Sequence, residues 1–380
     1  MLERSFVLLP LCEILPPTFI HPVTAEPVHD HLKQLVTGTR QVDPNVQTSI
    51  DLVNLVPLVD NSKEFRYIEY DLFNNKSKTQ LMSILNVTPD SFSDGHSSNL
   101  IVENVMKKID NMITNGVDII DIGGCSTRPN SEQPSEEEEL SRVLPVIKAA
   151  RAKYPSSDDI LISIDTYRSR VAEESIKAGA DIINDVSAGL FDEKMYDVVT
   201  KYGTPYIINH LRGDISTMSK LTTYKETKDN DLQVFTKANN QPAMLINEVS
   251  KELCQCISKM TEKGVRRWQI ILDPGLGFAK NLDQNLDIIR ELPLLKKYNQ
   301  LNTATGEFLS FEHIPLLLGP SRKRFIGKIT GKDVASDRIN GTSAAVTACI
   351  GYGSDIVRIH DYKEMKDACL MADAIYKGIR

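Results

Sequence analysis

Eight short apolar runs punctuate the chain, and each stops at a polar or turn-forming residue. They cover residues 81–85, 117–122, 160–164, 181–183, 206–208, 268–272, 315–318 and 355–359. They end at Asn86, Gly123, Asp165, Asn184, Asn209, Asp273, Gly319 and His360. Runs this short read as buried strands, and the amphipathic stretches between them as helices, so the pattern is one of successive parallel βαβ units. Eight units match the strand count of a closed (β/α)8 TIM barrel rather than an open doubly wound sheet. In either architecture the C-terminal ends of the strands meet ligand, so the residues that end the runs are the first candidates for function.

The bulk properties narrow the class. A length of 380 residues is compatible with two or three domains, although α/β barrels run long as single ones. The net charge of −7 argues against nucleic-acid or membrane-surface partners, while leaving room for a local basic pocket. No apolar run approaches the roughly 20 residues of a membrane span. The first residues, with Glu3 beside Arg4 and Pro10 inside a short apolar run, match neither a signal peptide nor an Arg-rich transit peptide. The six cysteines fit no zinc spacing, and a disulfide framework does not suit this size and class, which points to a reducing compartment.

Residues 1–78 stand outside the repeat. The stretch 6–11 reads as a strand, Pro16, Pro17, Pro22 and Pro27 break up the residues after it, and 29–36 reads as a short helix. The polar, weakly patterned stretch up to 64 reads as a linker, and 65–73 as a hairpin that plugs the N-terminal end of the barrel. The expected organisation is an N-terminal extension over 1–36, a linker over 37–64 and the barrel over 65–380. Two long intervals, 211–242 and 298–313, read as surface insertions without a chemical motif. Ser135 followed by the acidic run 136–139 reads as a capping box on a helix start.

Several strand ends open into polar loops. The first leads into Asn86-Val87-Thr88-Pro89-Asp90-Ser91-Phe92-Ser93-Asp94-Gly95, and the second into Gly123-Gly124-Cys125-Ser126-Thr127-Arg128-Pro129. The sixth opens into Asp273-Pro274-Gly275-Leu276-Gly277-Phe278-Ala279-Lys280-Asn281, the seventh into Gly319-Pro320-Ser321-Arg322-Lys323, and the last into Arg358-Ile359-His360-Asp361. Basic groups gather at strands two, seven and eight, and neutral or acidic ones at strands one, three, four and six. That distribution suits a ligand with a phosphate tail and a donor-rich ring.

Segments 86–95 and 123–129 resemble the first and second signatures of dihydropteroate synthases. Segments 273–281, 321–323 and 358–360 match that family in order and at comparable spacing, so the resemblance covers about 79–380. It implies condensation of 6-hydroxymethyl-7,8-dihydropterin diphosphate with 4-aminobenzoate, releasing diphosphate, with Mg²⁺, in folate synthesis, and it implies a sulfonamide target. Residues 4–14 look like the final strand region of hydroxymethyldihydropterin pyrophosphokinase, without that family's Asp-rich metal motif, which implies that 1–36 is the C-terminal remnant of such a domain. The chain thus resembles the C-terminal part of a fungal-type fused folate synthesis protein. The resemblance further implies a homodimer through the late barrel helices and a mitochondrial or cytoplasmic setting.

Carried over residue by residue, the resemblance assigns Asp165 and Asp273 as acceptors for the pterin amino and ring N–H groups. Asn184 meets the mixed pterin edge, with Asp185 in support or capping. Lys323 reaches the pterin carbonyl near the aminobenzoate, although flanking Arg322 and Arg324 leave its register resting on resemblance. Arg358 stacks on the ring and faces phosphate, His360 donates to the diphosphate, and Asn86 is the protein ligand to Mg²⁺. Thr127, Arg128, Pro129, Phe278 and Ser321 line the aminobenzoate pocket, with Arg128 and Ser321 open to holding either its carboxylate or the departing diphosphate. Lys323, Arg358 and Asp165 are the catalytic candidates. The bland alternative for Asp165 and Asp273 is that each caps the following helix. Cys125 and Asn130 depart from the Glu and Gly of many bacterial members, and Pro320 is expected to reshape the sulfonamide side of the pocket. Two other functions remain in play: a pterin-binding methyltransferase-like barrel, against which 126–129 and 321–323 argue, and a non-catalytic assembly module.

Overall fold

The computed structural model describes residues 2, 5–16, 18–36, 54–58, 66–70, 77–87, 98–125, 133–224, 243–301, 308–312 and 314–379. Its centre is an eight-stranded parallel sheet: β1 (Gln80–Asn86), β2 (Ile119–Gly123), β3 (Leu161–Asp165), β4 (Ile182–Asp185), β5 (Tyr206–Asn209), β6 (Ile270–Asp273), β7 (Leu317–Leu318) and β8 (Ile356–Ile359). The order β7-β8-β1-β2-β3-β4-β5-β6 is closed by the parallel bridge between Leu272 and Leu316, where the Leu272 N–H donates to the Pro315 carbonyl at 2.9 Å. The closed (β/α)8 barrel expected from the eight runs is therefore present.

Helices follow the strands for reasons visible in the residues. Ser169–Ala178 buries Val171, Ala172, Ser175 and Ile176, one stripe at helical spacing, and stops at Gly179 in the left-handed conformation. Glu136–Lys153 begins at Ser135, whose hydroxyl accepts the Glu138 N–H at 3.2 Å. The run 136–139 does more than favour the helix dipole, because Glu139 is fully buried and paired with Arg168.

Side chains on a strand alternate between two faces, and one face of a closed barrel points inward. Met82, Ile119, Leu161, Ile182, Ile207, Ile271, Leu317 and Ile356, one from each strand, form a single buried cluster. Val56, Ile68 and Tyr70 join it from the antiparallel hairpin Asn54–Leu58 with Arg66–Tyr70, which plugs the barrel floor. Each side chain so buried stabilises the fold by roughly 1.5–3 kcal/mol. At the same end, carboxylates replace missing ladder partners: Asp118 accepts the Leu81 N–H at 2.8 Å, Asp181 that of Ile162 at 2.7 Å and Asp355 that of Leu316 at 2.8 Å.

Three expectations for the peripheral segments need correction. Residues 6–11 lie in a helix, Ser5–Ile14, not a strand; Leu8 and Cys12, four apart, pack on Val28 and Leu32 of the helix Val28–Val36. The plug was expected within 65–73, but its first strand, Asn54–Leu58, comes from the stretch read as linker, and the barrel floor supplies the apolar surface it covers. The interval after β5 is not merely a surface insertion, because Leu211 and Met218 pack against Ala279 and Phe278. The other long interval forms a small hairpin, Asn299–Leu301 with Phe308–Ser310.

Candidate active site

Two residues above the apolar layer, the same inward face turns polar. The positions are Asp121 on β2, Ser163 on β3, Asn184 on β4, Asn209 on β5, Asp273 on β6 and Arg358 on β8, with Gly319 just beyond β7. One further step along gives Asn86, Gly123 and Asp165 at the strand ends. A polar layer at the C-terminal mouth, over a sealed apolar floor, is the place where this fold holds ligands.

Arg358 organises the layer. Its Nε donates to Asp121 Oδ2 at 2.6 Å and a terminal nitrogen donates to Asp165 Oδ2 at 2.6 Å. Asn184 Nδ2 donates to the same Asp121 oxygen at 3.0 Å. Burial disfavours the Arg358 charge, but Asp121 and Asp165 more than offset this and hold its pKa above the usual value. Burial acts on Asp165 too and outweighs the guanidinium, pushing the carboxyl up to about 7. Asp121 was not among the sequence candidates, yet it is fully buried and its Oδ1 has no partner among the described residues. A carboxylate placed inside a run that is otherwise apolar was the available signal.

Asp165 and Asp273 do not cap helices. The Ser169 N–H is taken by Asp192 at 2.8 Å, and the helix Leu282–Arg290 is capped by Asn281 in a reciprocal box with Gln284. Asp273 instead accepts the Gly275 N–H at 2.8 Å, and burial raises its pKa. Asp185 does act as a local cap: it accepts from Ser187 N, Ser187 Oγ and Gly189 N at 2.8 Å each, and from Tyr206 Oη at 2.7 Å.

The β6 loop holds three residues at positive φ, and two of them are glycines, Gly275 and Gly277, at 75° and 80°. A Cβ on Gly275 would lie 2.2 Å from the His210 carbonyl oxygen, and one on Gly277 would lie 3.0 Å from Lys323 Cδ. Lys323 therefore lies across Gly277, with its ammonium 4.4 Å from the centre of the Phe278 ring. Burial lowers its pKa to about 8, against the pull of Asp273. The structure also separates Lys323 from its neighbours. Arg322 has φ of 56° and turns its guanidinium to Asp361, with Nε at 2.9 Å, while Arg324 is exposed.

Ser321 is buried and binds His360 twice: its Oγ accepts the His360 backbone N–H at 3.1 Å and lies 3.0 Å from Nδ1. Burial and Arg358 lower the His360 pKa to about 3, so the ring is neutral at pH 7. Asn86, half-buried, ends β1 beside Gly123 in the ladder. Thr127, Arg128, Pro129 and Asn130 lie outside the described residues. Cys125, at the edge of that loop, is buried with its thiol pKa raised by burial, and Arg168 donates to its sulfur at 3.3 Å. All six cysteines are free thiols. Among the described residues no helix is long and apolar enough to cross a membrane, and no group of three His, Cys, Asp or Glu side chains is arranged to hold a metal.

Comparison with known proteins agrees with this geometry. Residues 82–360 match the family model described as pterin binding enzyme. A folic acid synthesis protein of Pneumocystis carinii is 40% identical over the whole chain, which spans 45% of that relative's length. The dihydropteroate synthase of Synechocystis is 40% identical over 80% of the chain and 93% of the relative. The solved structure of Xanthomonas albilineans dihydropteroate synthase with 4-aminobenzoic acid has a TM-score of 0.65 at 29% identity, covering 84% of this chain and 98% of that one. The chain belongs to the pterin-binding enzyme family and, within it, to the dihydropteroate synthases.

Proposed function

We propose that the barrel mouth joins 4-aminobenzoate to 6-hydroxymethyl-7,8-dihydropterin diphosphate, giving 7,8-dihydropteroate and diphosphate. The observation that carries this reading is the polar layer of Asp165, Asn184, Asp273 and Arg358, with Lys323 and Phe278 beside it. When ionised, Asp165 and Asp273 have only acceptors to offer, which suits the amino and ring N–H groups of a pterin, and Asn184 offers both kinds of partner. Lys323 reaches the pterin carbonyl, and the Phe278 ring lies against the aminobenzoate. Ser321 and Arg128 hold the aminobenzoate carboxylate or the departing diphosphate. With Ser321 Oγ–H donating to His360 Nδ1, 3.0 Å away, Nε2–H would be the ring's donor toward the diphosphate.

Asn86 offers a single neutral amide oxygen at the end of β1. That fits Mg²⁺ carried largely by its waters and by the diphosphate rather than by a protein cage. When bound, Mg²⁺ supplies charge neutralisation at the diphosphate, alongside Arg358 and His360. Stabilising charge that develops as the C–O bond breaks is commonly the largest catalytic contribution. The pterin methylene carries the positive charge by conjugation with its own ring. The aminobenzoate nitrogen then attacks it and passes a proton to the released diphosphate or to water, and no covalent enzyme intermediate is needed.

We also assign the exposed Tyr352, Leu370, Met371, Ile375 and Tyr376 of the last helices to a homodimer contact. The direct test is to mix protein, Mg²⁺, the pterin diphosphate and labelled 4-aminobenzoate, and to look for labelled dihydropteroate that disappears when Mg²⁺ is chelated. No product, with the pterin diphosphate still bound, would overturn the reaction. A sulfonamide is expected to compete with aminobenzoate and not with the pterin.

A further inference from the structure

A buried chain of polar groups behind the site is used by none of these roles. Lys280, 8% exposed, places Nζ 3.1 Å from the Phe278 carbonyl and 3.0 Å from His210 Nδ1. His210 Nε2 lies 2.9 Å from Glu252 Oε2, and Arg212 Nε donates to both Glu252 oxygens at 3.0 Å. The proton positions follow from the partners. Burial holds the His210 pKa near 4, while hydrogen bonds from His210 and Arg212 outweigh burial and hold that of Glu252 near 2, so the ring is neutral and the carboxylate only accepts. The one ring proton therefore sits on Nε2, and Nδ1 accepts from Lys280.

Two further contacts connect the same pieces. Tyr224 Oη donates to the Ala279 carbonyl at 3.0 Å, and the Arg212 guanidinium lies 3.8 Å from the centre of the Tyr224 ring. Leu211 and Met218 pack on Ala279 and Phe278. Ala279 itself has φ of 49°, a conformation that a non-glycine residue keeps only when its surroundings impose it. A buried amine with no carboxylate within bonding distance among the described residues is a costly way to fill space, since an apolar side chain would do so more cheaply.

We propose that Lys280, His210, Glu252 and Arg212 form a brace that locks the segment after β5 to the β6 loop, making Lys280 a positioning residue for the Phe278 ring and, through it, for aminobenzoate. The second half of this statement rests on the reading of the site given above. The brace gives residues 211–224 a role: they are the outer wall that holds the loop in place.

The test compares wild type, Lys280→Met and Tyr224→Phe by amide hydrogen exchange on the unliganded full chain, and then by steady-state kinetics. Exchange is expected to rise about tenfold in Lys280→Met at both 275–280 and 211–224, with β3 unchanged, and less in Tyr224→Phe, which loses one hydrogen bond. The KM for aminobenzoate is expected to rise at least about fivefold while the KM for the pterin diphosphate stays within about twofold, a split that general loosening does not give. Unchanged exchange, a change confined to 275–280, or equal rises in both KM values would overturn the brace. If Lys280→Met does not fold, Tyr224→Phe decides by the same criteria. A wild-type protein that binds no aminobenzoate would sink the site reading, while the exchange data would still judge the brace.

Discussion

Replacing Asp121 by Asn tests whether one buried carboxylate holds the site's central arginine. The substitution keeps the shape and removes the charge. Asp121 Oδ2 takes Arg358 Nε at 2.6 Å and Asn184 Nδ2 at 3.0 Å, and the residue is fully buried. Two unit charges about 4 Å apart interact by about 4 kcal/mol at an effective dielectric of 20. Part of that is returned, because a neutral amide is easier to bury and Asp165 still pairs with Arg358. A net loss of about 3 kcal/mol results, at the low end for breaking a buried pair. The amide keeps its oxygen for Arg358 and Asn184 and puts its donor at the Oδ1 position, which has no partner among the described residues. Calorimetry should show Tm lower by about 4 °C, and kcat/KM for the pterin diphosphate should fall at least about tenfold as Arg358 loses its fixed direction. In a double-mutant cycle with Arg358→Met, the two losses should fall short of additivity by more than about 1 kcal/mol. A Tm within about a degree of wild type, or additive losses, would refute the argument that Asp121 acts through Arg358.

The other predictions draw on the same geometry. Asp165→Ala and Lys323→Ala should each lose most of the dihydropteroate-forming activity, and near wild-type turnover by either would remove it from the mechanism. Gly275→Ala should destabilise by at least about 2 kcal/mol in chemical denaturation, because the added Cβ meets the His210 carbonyl oxygen at 2.2 Å and a left-handed φ strains it. Gly277→Ala meets the flexible Lys323 side chain instead, so activity should fall further than the shared left-handed strain on stability alone would suggest. The Asp165 carboxyl, raised to about 7 in the folded chain, contributes stability that is fully present below about pH 4 and is lost as pH rises through 7. The wild-type minus Asp165→Asn difference in thermal stability should therefore decline across that window, and a difference that rises with pH would contradict the burial argument.

The parts of this molecule that a reader of the sequence can reach are those set by one short period. A run that is apolar for four or five residues and then polar marks a strand and its ligand-facing end together, so Asp165, Asn184, Asp273 and Arg358 were found at the mouth. The same period, counted two residues back from Gly123, also reaches Asp121, since Ile119 and Asp121 face the interior on alternate steps. What the period cannot convey is which ends meet. Arg358 and Asp121 are 237 residues apart, and Lys280 and His210 are 70 apart. Only closure of the barrel and the fold of the β5 and β6 loops make neighbours of them. The helix Ser5–Ile14 shows the opposite failure, because its apolar residues are too continuous for either period to be read, and it took its form from packing on Val28 and Leu32. The plug strand Asn54–Leu58 is as short as a barrel strand but contains Pro57, and only the uncovered apolar floor beneath it explains why it pairs with Arg66–Tyr70. An isolated charge within a buried run is therefore the feature to weigh most heavily in such a chain, since burying it is costly unless a distant partner is waiting for it.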